Sequence, residues 1–341
     1  AVPINKIPGL NWITLLTKYG TNFNWQTEPL STLRDPNINL GNTVQNSRNI
    51  QINPTLNLVT LYNKFGFLRN AGNTQEGGAK NFFINLLTSL KNVNVNYVQT
   101  KGTFLPGYLP TTRYLGIDNV TGAPGLGFAF GSQRDIREMA LNNGWLTTDT
   151  LQTQMYVNTL REDFQLTGQL EPIRDLRITL RANRAQTRNF STNFRYVASV
   201  SSFENLSAIT TGDYSISYIA LGTAFKESNA STVSALYNRF MSNRSIISQR
   251  LGAQNPNSAG SANGYADGYG KESQDVVISA FLAAYSGKDA GSSKMNSFPK
   301  IPLPNWSLTY NGLTRIPFIA DRFSSVDIKH GYRSAYNING Y

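Results

Sequence analysis

The sequence predicts an all-β protein, an antiparallel transmembrane β-barrel with a few short helices in loops or packed against the barrel. Three observations support this. Apolar and polar residues alternate with period 2 in many segments, several of them ten residues or more. The polar row of each segment is mostly Asn, Thr, Gln, Ser and Gly, with occasional Arg. Charged residues make up only 15% of the 341-residue chain, against about 25% in an ordinary soluble protein. The same alternation also fits a soluble β-sandwich or solenoid, whose outward row is usually richer in Lys and Glu.

The segments follow in chain order. Ile13, Leu15, Tyr19, Phe23 and Trp25 share one parity, opposed by Thr14, Lys18, Gly20, Asn22, Asn24 and Gln26. Ile50, Ile52, Leu56 and Leu58 alternate with Asn49, Gln51, Asn53, Thr55 and Asn57. Val93, Val95 and Tyr97 alternate with Asn92, Asn94 and Asn96. Leu176, Ile178, Leu180 and Ala182 oppose Arg177, Thr179, Arg181 and Asn183. Tyr214, Ile216, Tyr218 and Ala220 oppose Ser215, Ser217 and Ile219 less cleanly, and Trp306, Leu308 and Tyr310 begin another run. The last segment, Val326 to Ile338, reads as one strand far longer than the usual mode of about 5–6 residues. Outer-membrane strands show this alternation, apolar toward lipid and polar toward a wet lumen, with aromatics at the interfaces. An open sheet edge finds no partner in lipid, so a spanning sheet must close.

Helical signals are fewer. "SQRDIREMALNNG" offers Ser132 as N-cap, Asp135 in a first turn and Gly144 as a stop. "STVSALYNRFMSNRSIISQRL" places Val233, Leu236, Tyr237 and Phe240 on one face after a candidate cap at Ser231. "ESQDVVISAFLAAYSG" places Val277, Ile278, Phe281, Leu282 and Tyr285 at helical spacing. "NFFINLLTSL" from Asn81 is ambiguous. These stripes are expected to pack against the barrel, with partner docking as the minority reading. Residues 71–80 read as a linker or the site of an omitted insertion, and 252–273 as a flexible loop.

Composition excludes several classes. There is no cysteine and one histidine, His330, which argues against thiol catalysis, disulfides and transition-metal sites. His330 sits within the last alternating segment, where a structural or interfacial role fits better than catalysis. The net charge is +11, but the basic residues are scattered singly and no nucleic-acid motif occurs. "GLGFAFG", residues 125–131, lacks the lysine of a phosphate loop, and its glycines read as turn formers. Asp275 and Asp289 lack the repeated acids of a calcium loop. Neither catalytic residues nor a cofactor is expected. The chain begins with Ala and has no signal peptide, as expected of a mature chain or an excised fragment. Mean hydropathy is −0.31, too polar for a helical membrane bundle.

Several stretches go beyond pattern. "LGNTVQNSR" and "LVTLYNKF" are followed by "SLKNVNVNY", "GTFLPGY", "APGLGFAFGSQ" and "NGWLT". "SQDVVISAFLAAYSGKDA" and "FPKIPLPNWSLTYNGL" complete the series. In this order, from Asn11 to Tyr341, they resemble the SprA (Sov) family, the outer-membrane translocons of the type IX secretion system of Bacteroidota. The resemblance implies a single-chain barrel of very large bore, of which this chain is one section, located in the bacterial outer membrane. Folded cargo proteins would cross it. Partners implied are membrane lipid, the rest of the translocon chain, a PorV-type shuttle barrel and a periplasmic plug protein. A TonB-dependent receptor or a soluble surface protein are the alternatives.

Residue roles follow as expectations. Arg177, Arg181, Asp327, Lys329 and Arg333 are expected to line the pore, and Tyr19, Phe23, Trp25, Tyr332 and Tyr336 to form a lipid-facing aromatic girdle. The first and last strands are expected to pair with chain outside this sequence rather than with each other. The helices at 231–251 and 272–285 are candidates for shaping loops or docking partners.

Overall fold

A computed structural model describes residues 3–29, 35–66, 68, 88–225, 234–293, 295 and 298–341. The linker at 71–80, the start of "NFFINLLTSL", Ser231 and Val233 lie outside the described residues. The fold is mostly β, with a ten-stranded sheet and few helices. The chain divides into two compact units.

The first unit holds most of the sheet, and its long strands form a meander. These are β1 (Ile13–Gln26), β2 (Asn42–Asn57), β3 (Leu90–Tyr108), β4 (Tyr156–Leu170) and β5 (Leu176–Val197). Each pairs antiparallel with the next. β6 (Ser202–Thr211) pairs antiparallel with the end of β5. The alternation that announced β1, β2, β3 and β5 is thus matched by in-register ladders, and the neutral polar row is no obstacle to pairing. β4 was not singled out in the sequence, because Arg161, Glu162 and Asp163 interrupt its alternation.

Beyond β5 the sheet is pieced together from shorter strands. β7 (Asp213–Ser217) pairs with β5 and with the last strand, and β10 (Asn305–Tyr310) pairs with β5 and with β11 (Ile328–Tyr332). The last strand is β12 (Ala335–Asn339). The expected single strand from Val326 to Ile338 is therefore two strands separated by Arg333 and Ser334. The partner changes at that point, from β10 to β7. The two-residue break preserves parity, so Tyr332 and Tyr336 stay in phase and alternation alone gives no sign of it. The strand path ends at β1 and β11, which are not bonded to each other, so no ring closes among the described residues.

The other unit spans Ile216–Asn305 and Arg333–Tyr336. Its helices α1 (Ala235–Gln254) and α2 (Gln274–Tyr285) pack around Ile247, Ala280, Ala283 and Ala290. The buried side of α2 carries Val276, Ser279, Ala280, Ala283 and Ala284. This corrects the expected stripe by one position, since Phe281 is 37% exposed. Small residues let the helix backbones approach, and the larger side chains lie at the flanks. Asn243 Nδ2 donates to the Ala280 carbonyl across the pair at 3.3 Å.

The stretch 252–273, expected as a flexible loop, contains the end of α1 and a hairpin of β8 (Ser261–Ala262) and β9 (Tyr265–Ala266). Ser248 Oγ accepts from Ala266 N at 2.9 Å, which ties the hairpin to α1. The helix expected over 132–144 is shorter, Arg137–Asn142. Ser132 is not its cap, and Asp135 instead accepts from Arg137 N at 3.0 Å. Gly144 follows the helix at φ +65°, a conformation that glycine adopts readily.

Candidate functional site: the two faces of the sheet

Registers fix which residues share a face, because direct antiparallel partners point the same way. The four apolar rows singled out in β1, β2, β3 and β5 fall on one face. Ile13, Leu56, Val93, Gly168 and Leu180 stand in one cross-strand line over β1 to β5. Further along the strands, a parallel line contains Thr17, Ile52, Tyr97, Phe164 and Arg184. Between them, Leu15 pairs with Pro54 and Leu166 with Val95 and Ala182. With Ile178 and Leu170 at the lower margin, the band is about 20 Å tall, at about 3.4 Å per residue. Outer-membrane barrels carry an apolar band of about 25 Å.

This band is not a soluble core. Neither buried cluster contains Ile13, Leu15, Ile50, Ile52, Leu56, Val93, Val95, Leu166, Ile178 or Leu180. All are half-exposed, or exposed in the case of Ile52 at 37%. Only the small residues Gly168 and Ala182 are shielded, by their larger neighbours. A sandwich covers its apolar face with a second layer of protein; among the described residues this band has none.

The reverse face is neutral and polar. β2 presents Thr43, Gln45, Ser47, Asn49, Gln51, Asn53 and Thr55 there, opposite Asn92, Asn94, Asn96 and Thr100 of β3. Asn49 Nδ2 donates to Thr100 Oγ1 at 2.9 Å. Leu16, Val98, Phe104, Val157 and Ala185 are the apolar exceptions. Of the expected pore residues, Arg181 lies on this face opposite Thr167, and Arg177, of the same parity, pairs with Glu171 at 3.6 Å. Lys329 is exposed opposite Thr309. Asp327 precedes β11 and Arg333 occupies the strand break, so neither belongs to a strand row as expected.

The apolar face changes character beyond the band. A hydrogen-bonded belt crosses β2 to β5: Arg48 Nη2 donates to Gln99 Oε1 at 2.9 Å, and Gln99 Nε2 to Glu162 Oε1 at 2.7 Å. Tyr97 Oη also donates to Glu162, at 3.1 Å, and Arg184 bridges Glu162 at 2.9 Å. Above the belt, residues 109–155 fold over the same face. Val44, Leu105, Tyr108 and Tyr156 from the sheet pack with Phe128, Ile136, Ala140 and Trp145 from this segment. Asn46 Nδ2 donates to the carbonyls of Phe128 and Ser132 at 2.8 and 2.9 Å. Arg137 lies over the Tyr156 ring, 4.4 Å from its centroid, and bridges Asp135 at 2.6 Å. Arg137 holds the Asp135 carboxyl below its usual range against the opposing effect of burial.

Most of the expected aromatic girdle packs against protein, Phe23 and Trp25 under this cover and Tyr332 and Tyr336 elsewhere. Phe23 meets Phe128 edge to face at 6.3 Å, and Trp25 Nε1 donates to the Pro110 carbonyl at 3.2 Å. Tyr332 is buried and stacks on Trp306 at 4.5 Å, and Tyr336 is buried near Phe281 at 6.5 Å. Tyr19 alone is exposed, at 62%, while its hydroxyl donates to the Phe130 carbonyl at 2.7 Å. Aromatic residues on the apolar parity look alike in sequence whether they face lipid or a folded connection; only the register and the path of 109–155 separate them.

Among the described residues, no group of three or more His, Asp or Glu side chains converges to hold a metal. No helix is long and apolar enough to cross a membrane, which says nothing of strands. The sequence matches no protein-family model and no curated protein.

Proposed function

We propose that this chain is a section of a large outer-membrane β-barrel that conducts folded proteins, as the resemblance to the type IX translocons implies. The observation that carries the membrane part is the uncovered apolar band on one face of β1 to β5, backed by amides and hydroxyls on the other. Lipid is the solvent that matches the first face, and water the second.

Strand length accounts for the covered Phe23 and Trp25. A strand crosses a bilayer in about 9–11 residues, whereas β3 and β5 run 19 and 22. The surplus projects past the lipid, and there the outer face is packed beneath residues 109–155. The open edges at β1 and β11 are where the rest of the barrel wall attaches, since an unpaired edge is not tolerated in lipid. A lumen of neutral amides and hydroxyls hydrates cargo without a single-sign field that would trap it. Arg177, Arg181 and Lys329 adjust that field locally. A bore wide enough for folded protein would leak, which gives the plug and the PorV-type shuttle barrel their roles.

The test is passage. Liposomes bearing the full translocon without its plug, and loaded with a small folded fluorescent protein, release that protein. Liposomes that leak ions but retain it contradict protein conduction. Recovery of the protein, folded, from an aqueous fraction without detergent contradicts the membrane reading altogether.

A further inference from the structure

Just beyond the apolar band, one cross-strand line of the lipid-side face reads Thr21, Arg48, Lys101, Leu160, Arg188 over β1 to β5. Three of its five residues are basic. Arg48 and Lys101 are direct partners, and Arg188 stands two strands further on, roughly 10 Å away at the usual strand spacing. Among the described residues none of the three has an acidic partner within 4.0 Å. Arg48 lies beneath Gly131 of the covering segment and bonds Gln99, so Lys101 and Arg188 are the members of the row left open. The neighbouring acid, Glu162, is already engaged by Arg184, Gln99 and Tyr97. Asp135 is likewise held by Arg137.

Arg188 also borders an open cleft of about 300 Å³ lined by Gln133, Asp135, Arg137, Asn158 and Thr210. Hydrogen-bond donors and acceptors converge there, a few side-chain rows beyond the top of the apolar band. An uncompensated positive row is costly unless something anionic meets it.

We propose that Lys101 and Arg188 bind the phosphate groups of anionic lipid headgroups, with the acyl chains lying along the apolar band below. The proposal rests on that band facing lipid, and adds that one border of it selects lipid by charge. Basic residues near a membrane surface are worth about 1 kcal/mol each toward anionic lipid. Arginine offers a planar fork to phosphate oxygens, and lysine a point charge. The spacing of the row spreads the contacts over neighbouring headgroups rather than one.

The experiment reads lipid selectivity on the intact translocon in mixed zwitterionic and phosphate-rich anionic nanodiscs, by mass spectrometry of retained lipid. Wild type retains anionic lipid preferentially. The Lys101→Gln/Arg188→Gln variant leaves half-buried Arg48 and its belt in place, and its preference falls by about thirtyfold. Arg181→Gln/Lys329→Gln removes equal charge elsewhere and leaves the preference unchanged. Equal retention by wild type and the double variant overturns the proposal, as does an equal loss in the Arg181/Lys329 control, which would mean bulk attraction. A protein that enters nanodiscs but shows no preference overturns this proposal alone. One that never enters them overturns the membrane reading as well.

Discussion

Ile52 of β2 and Tyr97 of β3 are direct antiparallel partners on the apolar face, and neither belongs to a buried core. Three residues along, Asn49 and Thr100 are partners on the opposite face, joined through their side chains at 2.9 Å. The same two strands thus carry an apolar surface on one side and an amide- and hydroxyl-rich one on the other.

A charge placed in the band is therefore costly, and the same charge on the reverse face is not. Leu166→Arg, at the middle of the band on β4, destabilises the membrane-inserted protein by about 2–4 kcal/mol. Gln165→Arg, its exposed neighbour on the other face, changes stability by less than about 0.5 kcal/mol. Urea titration of the protein in vesicles measures both. Equal costs would count against a lipid-facing band.

Arg137 pins residues 109–155 to the sheet through Tyr156, Phe190 and Phe194, with the Asp135 bridge orienting its guanidinium. Arg137→Lys keeps the charge but loses the planar fork and the stacking. The expected cost is about 0.5–2 kcal/mol, read as faster protease cleavage within 125–144 and unchanged cleavage in α1.

The glycine at 131 is required by close approach as well as by φ. Its φ is +86°, and an added Cβ would lie 2.5 Å from Thr21 Cγ2. Gly131→Ala shifts this segment off β1 at a cost of about 1–3 kcal/mol. Thr21→Gly in the same chain recovers the steric part but not the backbone part. Hydrogen exchange at residues 125–131 distinguishes the two contributions.

Asp118 gives the same segment an acid dependence. The Thr121 backbone N–H, with help from the Thr121 and Thr111 hydroxyls and the Val120 N–H, holds its carboxyl down from 3.8 to about 2. A folded-state value below the unfolded one means stability that is present above about pH 4 and lost as pH falls toward 2. Pepsin cleavage near 111–123 should rise across that window in wild type. In Asp118→Asn the rise flattens. A wild-type profile without the rise contradicts the assignment.

Much of the sheet was legible before any coordinates. Ile13, Ile50, Val93 and Ile178 announced their strands because a half-polar sheet enforces period 2, and their registers place those rows on one face. The stretches that escaped did so for definite reasons. In β4 the charged belt residue Glu162 sits on the apolar parity, which erased the signal. The break at Arg333 keeps phase and is silent. Phe23 and Trp25 pack beneath a long connection that folds back over the sheet, a non-local event that no window of sequence contains. The basic line at Arg48, Lys101 and Arg188 was invisible for the same reason, since its members are 53 and 87 positions apart along the chain and adjacent only through register.

The most direct measurement uses the absence of cysteine from this sequence. Single substitutions Val95→Cys and Asn96→Cys place a thiol on either face of β3, one residue apart. In membranes, a water-soluble maleimide labels position 96 and spares 95, while a lipid-soluble reagent does the reverse. Equal labelling of both positions by the water-soluble reagent would show that water bathes both faces, and the account of a wall between lipid and a wet conduit would be wrong.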